Sequence, residues 1–322
     1  MPFINPPDVL PEAMRFIVRL LLQAEEPVLQ AEVVRRISPA GLAEVTSGTP
    51  LDEKPKLGPA GRYIVEATLT AMRGAGLVEV SGSDREIGLT PLVSEHFSKW
   101  EEVDAETFAQ FLLEQVVAVA SDVFEGSDED EAKTGGAEDL AHTISLLLQM
   151  PNPMDPISGF ESGGGKTLQA FQGEQFGLNP KKAGWFVPNS EQYLNVARWV
   201  SYLGFGYFDG RRGLLIEPSA VLKEPVQNVL GKTDMPLEHF LGGLGSQIPI
   251  TDRGAVASAV VNRLKNPQPK DQLSPGLAFG LRVLHEQKVI NLDSQADATS
   301  FGFPLREGSK ERYTHIALGG KP

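Results

Sequence analysis

Residues 61–90 read GRYIVEATLTAMRGAGLVEV followed by SGSDREIGLT: a helix with one apolar side, a short apolar strand, a polar turn and a second strand. Two further stretches repeat this order. They are SEQYLNVARWVSYLGFGYF with DGRRGLLIEP (residues 190–218), and SPGLAFGLRVLHEQKVINL with a longer, irregular hairpin that reaches RYTHIAL (residues 274–318). In each copy the apolar residues at i, i+4 and i+7 predict one buried helical stripe, and the strand that follows covers the same core.

The three copies align on the end of the helix, with four apolar positions in common. These positions are Val65, Leu69, Met72 and Leu77 in the first copy, Tyr193, Ala197, Val200 and Phe205 in the second, and Leu277, Leu281, Leu284 and Val289 in the third. A helix followed directly by a β-hairpin is the ending of a winged helix-turn-helix. The sequence therefore predicts an α+β fold, mainly α, built from about three tandem winged-helix modules with an acidic linker.

Composition shifts and turn residues divide the chain into four predicted regions. These are an N-terminal winged-helix domain (1–100), a helix with the acidic linker (101–136), a second winged-helix-like domain (137–230) and a third (231–322). Within the first domain, residues 43–60 are rich in Gly, Pro, Ser and Thr and predict a loop inside the helix-turn-helix. That loop is longer than the usual connection between two helices.

The charge is concentrated in one segment. The chain has a net charge of −13, and residues 101–139 hold 13 acidic residues against one base, Lys133, so the rest of the protein is close to neutral. No part is strongly basic, and non-specific DNA affinity comes mostly from neutralising phosphates, so tight autonomous DNA binding is not supported. The acidic segment is either a solvated linker or a tail that mimics DNA or covers a basic partner.

Several classes of site are not supported by the residue pattern. The chain has no cysteine, and its five histidines are scattered, so we expect no metal site and no cofactor. There is no nucleophile elbow and no paired-carboxylate motif, so we expect no enzymatic activity. The chain has no signal peptide and no apolar run long enough for a membrane span, which predicts a soluble, cytoplasmic protein.

A possible phosphate-binding motif is GGGKT, residues 163–167. A P-loop needs a glycine where this chain has Phe160, and three prolines precede the motif in place of a buried strand. A flexible linker leading into a helix explains the pattern better, and nucleotide binding through Gly165, Lys166 and Thr167 stays the weaker alternative.

Candidate DNA contacts lie on the predicted recognition helices and wings, where arginine can bond guanine edges or phosphates. They are Arg62, Thr70, Arg73, Arg85, Arg198, Arg211 and Arg212. Glu66 lies in the middle of the first recognition helix and argues against generic phosphate binding. The second wing tip, residues 209–213, is suited to a minor groove, and a solubilising hairpin turn explains it equally well.

The N-terminal sequence NPPDVLPEAMRFIVRLLLQ (residues 5–23), followed by ISPAGL (residues 37–42), resembles the DpdG family. That family is encoded in bacterial clusters that insert and police 7-deazaguanine derivatives in DNA. The resemblance implies an accessory component of a DNA modification–restriction or anti-phage system, acting with helicase and nuclease partners, and it carries over no catalytic residues. The tandem modules and acidic charge are also similar to dimeric winged-helix subunits that bind the kleisin of bacterial chromosome-organising complexes.

The sequence thus predicts a non-enzymatic DNA-associated or scaffolding subunit of a defence or DNA-processing assembly. Its partners would be DNA, other subunits of that assembly and, through exposed wing strands, a second copy of the chain in a homodimer. A kleisin-binding subunit and a P-loop-like nucleotide-binding protein remain the alternatives.

Overall fold

The computed structural model describes most of the chain in a set of separate ranges. They are residues 3–4, 8–24, 26–37, 60–83, 85–117, 137–158, 167–179, 184–231, 233–296, 298–306, 308 and 311–320. The predicted loop at 43–60 lies outside them except for Ala60, which begins a helix, and residues 118–136 of the acidic segment also lie outside them. The chain divides into two compact units: the first holds the described residues up to Leu112 and Ala137, and the second holds Leu113–Val117 and the described residues from Glu138 onward.

The first unit is three helices and a small antiparallel sheet, followed by short helices. Its elements are α1 (Pro11–Ala24), β1 (Val28–Leu29), α2 (Gln30–Ile37), α3 (Ala60–Gly74), β2 (Val78–Ser81), β3 (Glu86–Leu89), α4 (Pro91–Ser94) and α5 (Ala105–Leu112). The sheet order is β1-β3-β2, because the two-residue strand between α1 and α2 pairs with the last strand of the hairpin. Pro11 begins α1, where a first-turn proline loses no helical hydrogen bond.

The second unit contains the other two copies. Its elements are α6 (Glu138–Leu148), α7 (Thr167–Phe176), α8 (Ser190–Tyr202), β4 (Gly206–Asp209), β5 (Gly213–Ile216), α9 (Ser219–Leu230), β6 (Met235–Pro236), α10 (Leu237–Gln247), α11 (Ala255–Arg263), α12 (Pro275–Glu286), β7 (Ile290–Asp293), β8 (Phe301–Gly302), β9 (Arg312–Tyr313) and β10 (His315–Leu318). Strands β6, β10 and β7 form one sheet in that order, while β4–β5 and β8–β9 form separate two-stranded sheets.

The short-strand pairing seen in the first unit recurs in both later copies. Val28 in β1 lies opposite Ile87 in β3, and Met235 in β6 lies opposite Ile316 in β10. In the second copy the strand is reduced to a single antiparallel bridge between residue 157 and residue 214 in β5. All three copies therefore pair a short extended segment with the last strand of the hairpin. Two helices lie between the segment and the hairpin in the first two copies, whereas the third copy has three helices there, α10, α11 and α12, and carries β8 and β9 between the two strands of its hairpin.

The helix-to-strand turn is also the same in all three copies. The first residue after the turn donates its N–H to a carbonyl five residues earlier, at 2.9 Å in each copy: Leu77 to Met72, Phe205 to Val200, and Val289 to Leu284. The carbonyl of that same residue accepts an N–H from the end of the hairpin: Thr90 to Leu77 (3.2 Å), Glu217 to Phe205 (3.0 Å), and Gly319 to Val289 (2.8 Å). In every copy the first of these bonds joins the third and fourth aligned positions. Every aligned position is buried except Val289, which is partly buried.

The core of the second unit surrounds α6. Residues 140–148 are all buried, and α6 packs against α8, α11 and α12. Two of its polar side chains are satisfied by carbonyl oxygens, since the hydroxyls of Thr143 and Ser145 donate to Asp139 (2.7 Å) and Ile250 (2.9 Å). An all-round apolar helix is typical of the centre of a domain rather than of its surface.

The second and third copies meet at a close contact between α12 and the residues before α9. A Cβ atom built on Gly276 would lie 2.8 Å from Leu148 Cδ2, and one built on Gly280 would lie 2.7 Å from Pro218 Cγ. Helix α9, which ends at the predicted boundary near residue 230, packs against α10, α12 and β10. The four-region division stays a prediction. The α+β class is confirmed as a mixture of helices and small antiparallel sheets.

Within the described ranges, no helix is long and apolar enough to cross a membrane.

Candidate nucleic-acid interface

The candidate residues of the first unit lie on the outer face of α3. Arg62, Thr70 and Arg73 are exposed, while Val65, Leu69 and Met72 on the adjoining stripe are buried. The spacing i, i+8 and i+11 keeps the exposed residues on one side of a 3.6-residue helix. The sequence therefore predicted which side of α3 faces solvent, and why: the apolar stripe fixes the opposite side in the core.

Charge along this face is not uniformly positive. The Nε atom of Arg62 lies 2.8 Å from Oε1 of Glu66, and their side chains are 69% and 37% exposed. The hydroxyl of Thr70 donates to the carbonyl oxygen of Glu66 at 2.7 Å. Two of the three candidate side chains are thus held by Glu66, one through its carboxylate and one through its backbone.

An aromatic residue on α3 was not among the predicted contacts. Tyr63 is 48% exposed and lies at the first turn of the helix, next to Arg62. Its spacing from Val65, the first buried residue of the stripe, could have identified it. Residues two apart do not lie on the same side of a helix, so Tyr63 lies away from the buried stripe. An exposed aromatic ring beside arginine is a common feature of nucleic-acid contacts.

The first wing ends at Arg85, immediately before β3. Arg85 is exposed and has a φ of 55°, in the left-handed region. Its carbonyl oxygen accepts the N–H of Gln30 at 3.0 Å, which joins the wing to the start of α2. The backbone of Arg85 is therefore fixed by the sheet while its side chain faces solvent.

Other arginines of the first unit are engaged within the unit. Arg35 and Arg36 both pair with Glu32 at 2.6 Å, and their hydrogen bonds lower the pKa of Glu32 to about 2. Arg15 and Arg19 donate to the carbonyl oxygen of Val103 at 3.4 and 3.3 Å. Arg35 and Arg36 share one carboxylate, and Arg15 and Arg19 donate to an uncharged carbonyl, so these four guanidinium groups keep most of their charge but already have partners within the unit.

In the second unit the exposed candidates are Arg198 on α8 and the two arginines of the β4–β5 turn. The backbone N–H of Arg211 donates to Asp209 Oδ1 at 2.9 Å, and Arg212 Nε lies 4.0 Å from Asp209 Oδ2. The Arg212 side chain is 81% exposed, so this ion pair is weak. The turn keeps a net positive charge at its tip.

Tyr193 fixes the base of this second wing. Its hydroxyl donates to the carbonyl oxygen of Ile157 and accepts the N–H of Leu214 at 3.2 Å. Burial raises the pKa of Tyr193 to about 12, while the Leu214 N–H acts in the opposite direction. The hydroxyl thus joins the short extended segment to β5 where only one bridge connects them.

Little of the GGGKT motif is described. Gly165 and Lys166 lie outside the described residues, and Thr167 is the first residue of α7. The Thr167 hydroxyl accepts the N–H of Ser158 at 2.9 Å and donates to the Ser158 carbonyl at 3.1 Å. In this structure that hydroxyl joins Ser158 to the first residue of α7.

Helix α12 of the third copy is packed against the second copy. On α12, Gly276 and Gly280 lie against the second copy, and Arg282 pairs with Glu286 at 2.7 Å and with Glu311 at 3.3 Å. In the third hairpin, Arg312 of β9 pairs with Asp271 at 2.7 Å. Helix α12 is therefore used to join the two copies.

The candidate arginines differ in whether they form ion pairs. Within the described ranges, no residue forms an ion pair with Arg73, Arg85, Arg198 or Arg211. The same ranges contain no group of three or more His, Asp or Glu side chains that converge as metal ligands. The predicted contact residues stay predictions, and the open face of α3 is the part of the molecule that best fits them.

Comparison with known families gives one result. The sequence profile of the DpdG-like family matches residues 1–298, which is most of the chain. No curated protein and no solved structure shows a significant match.

Proposed function

The chain belongs to the DpdG-like family, and from that premise we propose that it is a non-enzymatic, DNA-associated subunit of a bacterial DNA modification–restriction or anti-phage system. The family resemblance implies that the chain is encoded in a gene cluster for inserting 7-deazaguanine derivatives into DNA and for restricting DNA according to that modification. The role of the chain would be to dock on duplex DNA and on the helicase and nuclease subunits of that system.

Winged-helix modules are part of the proposal. The order α1-β1-α2-α3-β2-β3, with the sheet order β1-β3-β2, supports this interpretation of the first unit. The repeated turn bonds and the pairings of β6 with β10 and residue 157 with residue 214 support it for the later copies. In such a module the second helix of the helix-turn-helix lies in the major groove.

The single observation that carries the proposal is the open face of α3. Arg62, Thr70 and Arg73 are exposed on it, and Arg85 extends from the adjacent wing. The equivalent helix of the third copy, α12, is occupied by contacts with Leu148 and Pro218. The first module is therefore assigned to DNA and the third to the architecture of the protein.

The charge distribution favours DNA binding within an assembly. The chain has a net charge of −13, and Arg35, Arg36 and Arg62 are paired with carboxylates. Because duplex affinity depends strongly on neutralised phosphates, we expect weak binding by the protein alone. Partner subunits would raise the affinity by adding contacts to the same duplex.

Fluorescence anisotropy of a labelled duplex, titrated with the full chain over a range of salt concentrations, tests the proposal. We expect binding that weakens steeply with salt, and weaker binding by the double variant Arg73→Ala/Arg85→Ala. The matched control is Arg35→Ala/Arg36→Ala, which removes the same charge from residues already paired with Glu32. Binding that is absent, or that is insensitive to salt, would contradict direct docking on DNA.

A second experiment tests the subunit assignment. Affinity purification of the tagged chain from its native cell, followed by mass spectrometry, is expected to recover proteins that act on DNA. Recovery of the chain alone would contradict the assembly role. A nucleoside triphosphatase activity abolished by Lys166→Ala would overturn the non-enzymatic part and favour the P-loop alternative.

A further inference from the structure

The face of α3 alternates donors and acceptors rather than presenting positive charge throughout. Arg62 and Arg73 lie near its two ends, and Glu66 lies between them, 2.8 Å from Arg62 and partly exposed. The Thr70 hydroxyl proton is directed to the Glu66 carbonyl oxygen. The donors that face solvent are therefore arginines, with one carboxylate among them.

A carboxylate in this position opposes phosphate binding. A duplex carries one negative charge for about every 1.7 Å of its axis, so Glu66 in contact with the backbone would cost affinity. An exposed Arg–Glu pair at i, i+4 contributes little to stability. The pair therefore opens readily, and helix stability is a poor reason to place a carboxylate at the centre of this face.

In the major groove the same carboxylate has a partner. Cytosine presents an N4 amino group there, which Glu can accept, and guanine presents O6 and N7, which bind arginine through two hydrogen bonds. A G·C pair, or two adjacent ones, thus offers one donor for Glu66 and two acceptors for Arg62. Because the two side chains are already in contact, they reach neighbouring base edges together.

We propose that Glu66 is a specificity-determining residue, which selects cytosine in the major groove while Arg62 binds guanine. The inference rests on the proposed DNA-docking function and deepens it. Arg73 and Arg85 then supply phosphate contacts that position α3 without reading sequence.

Selection from a random duplex library with the full chain tests the inference. The wild type is expected to enrich G·C at one or two positions, with a discrimination of about five-fold or more. Glu66→Gln keeps the size and one carbonyl oxygen of the side chain but removes its charge. This variant should bind the unselected library more tightly, and its preference at that position should shift from cytosine towards adenine, whose N6 and N7 pair with the Gln amide.

Glu32→Gln is the matched control, because it also removes one charge from an exposed Arg–Glu pair, on α2 rather than α3. We expect it to retain the wild-type base preference. An unchanged preference in Glu66→Gln, with duplex binding intact, overturns the inference and leaves the proposed function standing. Failure of the wild-type chain to bind any duplex overturns both.

Discussion

Gly204 and Lys288 occupy the same position at the ends of two equivalent helices, and both are left-handed, with φ values of 79° and 60°. Gly76, in the first unit, has the same role with a φ of 69°. A left-handed residue is what allows a helix to end and the chain to turn directly into a strand. Lysine at this position has a backbone cost that glycine avoids, of about 1–2 kcal/mol.

Substitution of Lys288 by Gly is therefore expected to stabilise the protein by about 1 kcal/mol, whereas Gly204→Ala destabilises it by a similar amount. Urea unfolding followed by tryptophan fluorescence measures both, since Trp199 is fully buried in the same unit. Gly210→Ala, at the wing tip, has open space around the new Cβ and no positive φ, and is expected to change little. Destabilisation by Lys288→Gly would contradict the equivalence of the three turns.

Replacing glycine by alanine should have opposite effects on stability at the contact between the second and third copies and at an exposed helical position. In Gly276→Ala the new methyl group would lie 3.0 Å from Leu148 Cα, where backbone cannot give way, so we expect a loss of about 1–2 kcal/mol. In Gly242→Ala, at an exposed position of α10, nothing lies within 4 Å of the new Cβ, and the gain in helix propensity should stabilise by about 0.5–1 kcal/mol. Thermal unfolding of the two variants gives the sign directly. Equal effects would contradict close packing at Gly276.

Tyr193 predicts a pH dependence of stability. Its pKa is about 10 in the unfolded chain and is raised to about 12 in the folded protein. The folded state therefore holds the proton more tightly, and this contribution is complete below pH 10 and is lost as the pH rises from 10 towards 12. Tyr193→Phe removes two hydrogen bonds and should cost about 1–3 kcal/mol at pH 8, with a smaller difference from wild type at pH 11.

Urea unfolding at several pH values measures this difference. Tyr207→Phe is the matched control, because the Tyr207 side chain lies on the neighbouring strand β4 and is 61% exposed. A difference between wild type and Tyr193→Phe that widens above pH 10 would show that the hydroxyl is not held in its neutral form.

The second wing predicts a change in the salt dependence of DNA binding. Removing Arg211 and Arg212 together should weaken duplex binding and reduce the slope of log affinity against log salt by up to about 2, if both contact phosphates. Lys223→Ala/Lys265→Ala removes the same charge from exposed lysines elsewhere in the unit and should leave the slope near that of wild type. An unchanged slope in the arginine variant would assign the wing tip to solubility alone.

The sequence predicted the structure best where the pattern of apolar residues has one structural explanation, a buried side of a helix. The apolar stripes predicted the buried sides of α3, α8 and α12. The turn into the third hairpin was aligned correctly although Lys288 replaces glycine there. The alignment succeeded because it depended on the apolar residues on both sides of the turn, Leu284 and Val289.

Two helices of the second unit were not predicted. Pro225 lies inside α9, and α10 contains Gly242, Gly243 and Gly245, all of which are typical of loops. In the structure, two of these glycines allow close contact. A Cβ on Gly243 would lie 2.8 Å from Val229 Cγ1, and one on Gly245 would lie 2.5 Å from the nitrogen of Gly254.

The two-residue strands β1 and β6 were also missed, since they are too short for any alternation to be visible. The candidate site was predicted as a set of exposed arginines. The two of them that are paired, Arg62 and Arg212, have carboxylate partners only four and three residues away, Glu66 and Asp209, so these pairs could have been anticipated from the spacing. Arg282 and Arg312 were not candidates, and their partners Glu311 and Asp271 are distant in sequence and are brought close only by the tertiary fold.

The most direct test of the central claim is photo-crosslinking from α3 to a duplex. A photoreactive phenylalanine derivative replaces Tyr63 on α3 or, as the control, Phe16 on α1; these residues are 48% and 49% exposed in the same unit. We expect crosslinking of labelled DNA from position 63 and little from position 16, with the yield falling as salt rises. Equal crosslinking from both positions, or crosslinking from position 16 alone, would contradict the assignment of α3 as the DNA-contacting helix.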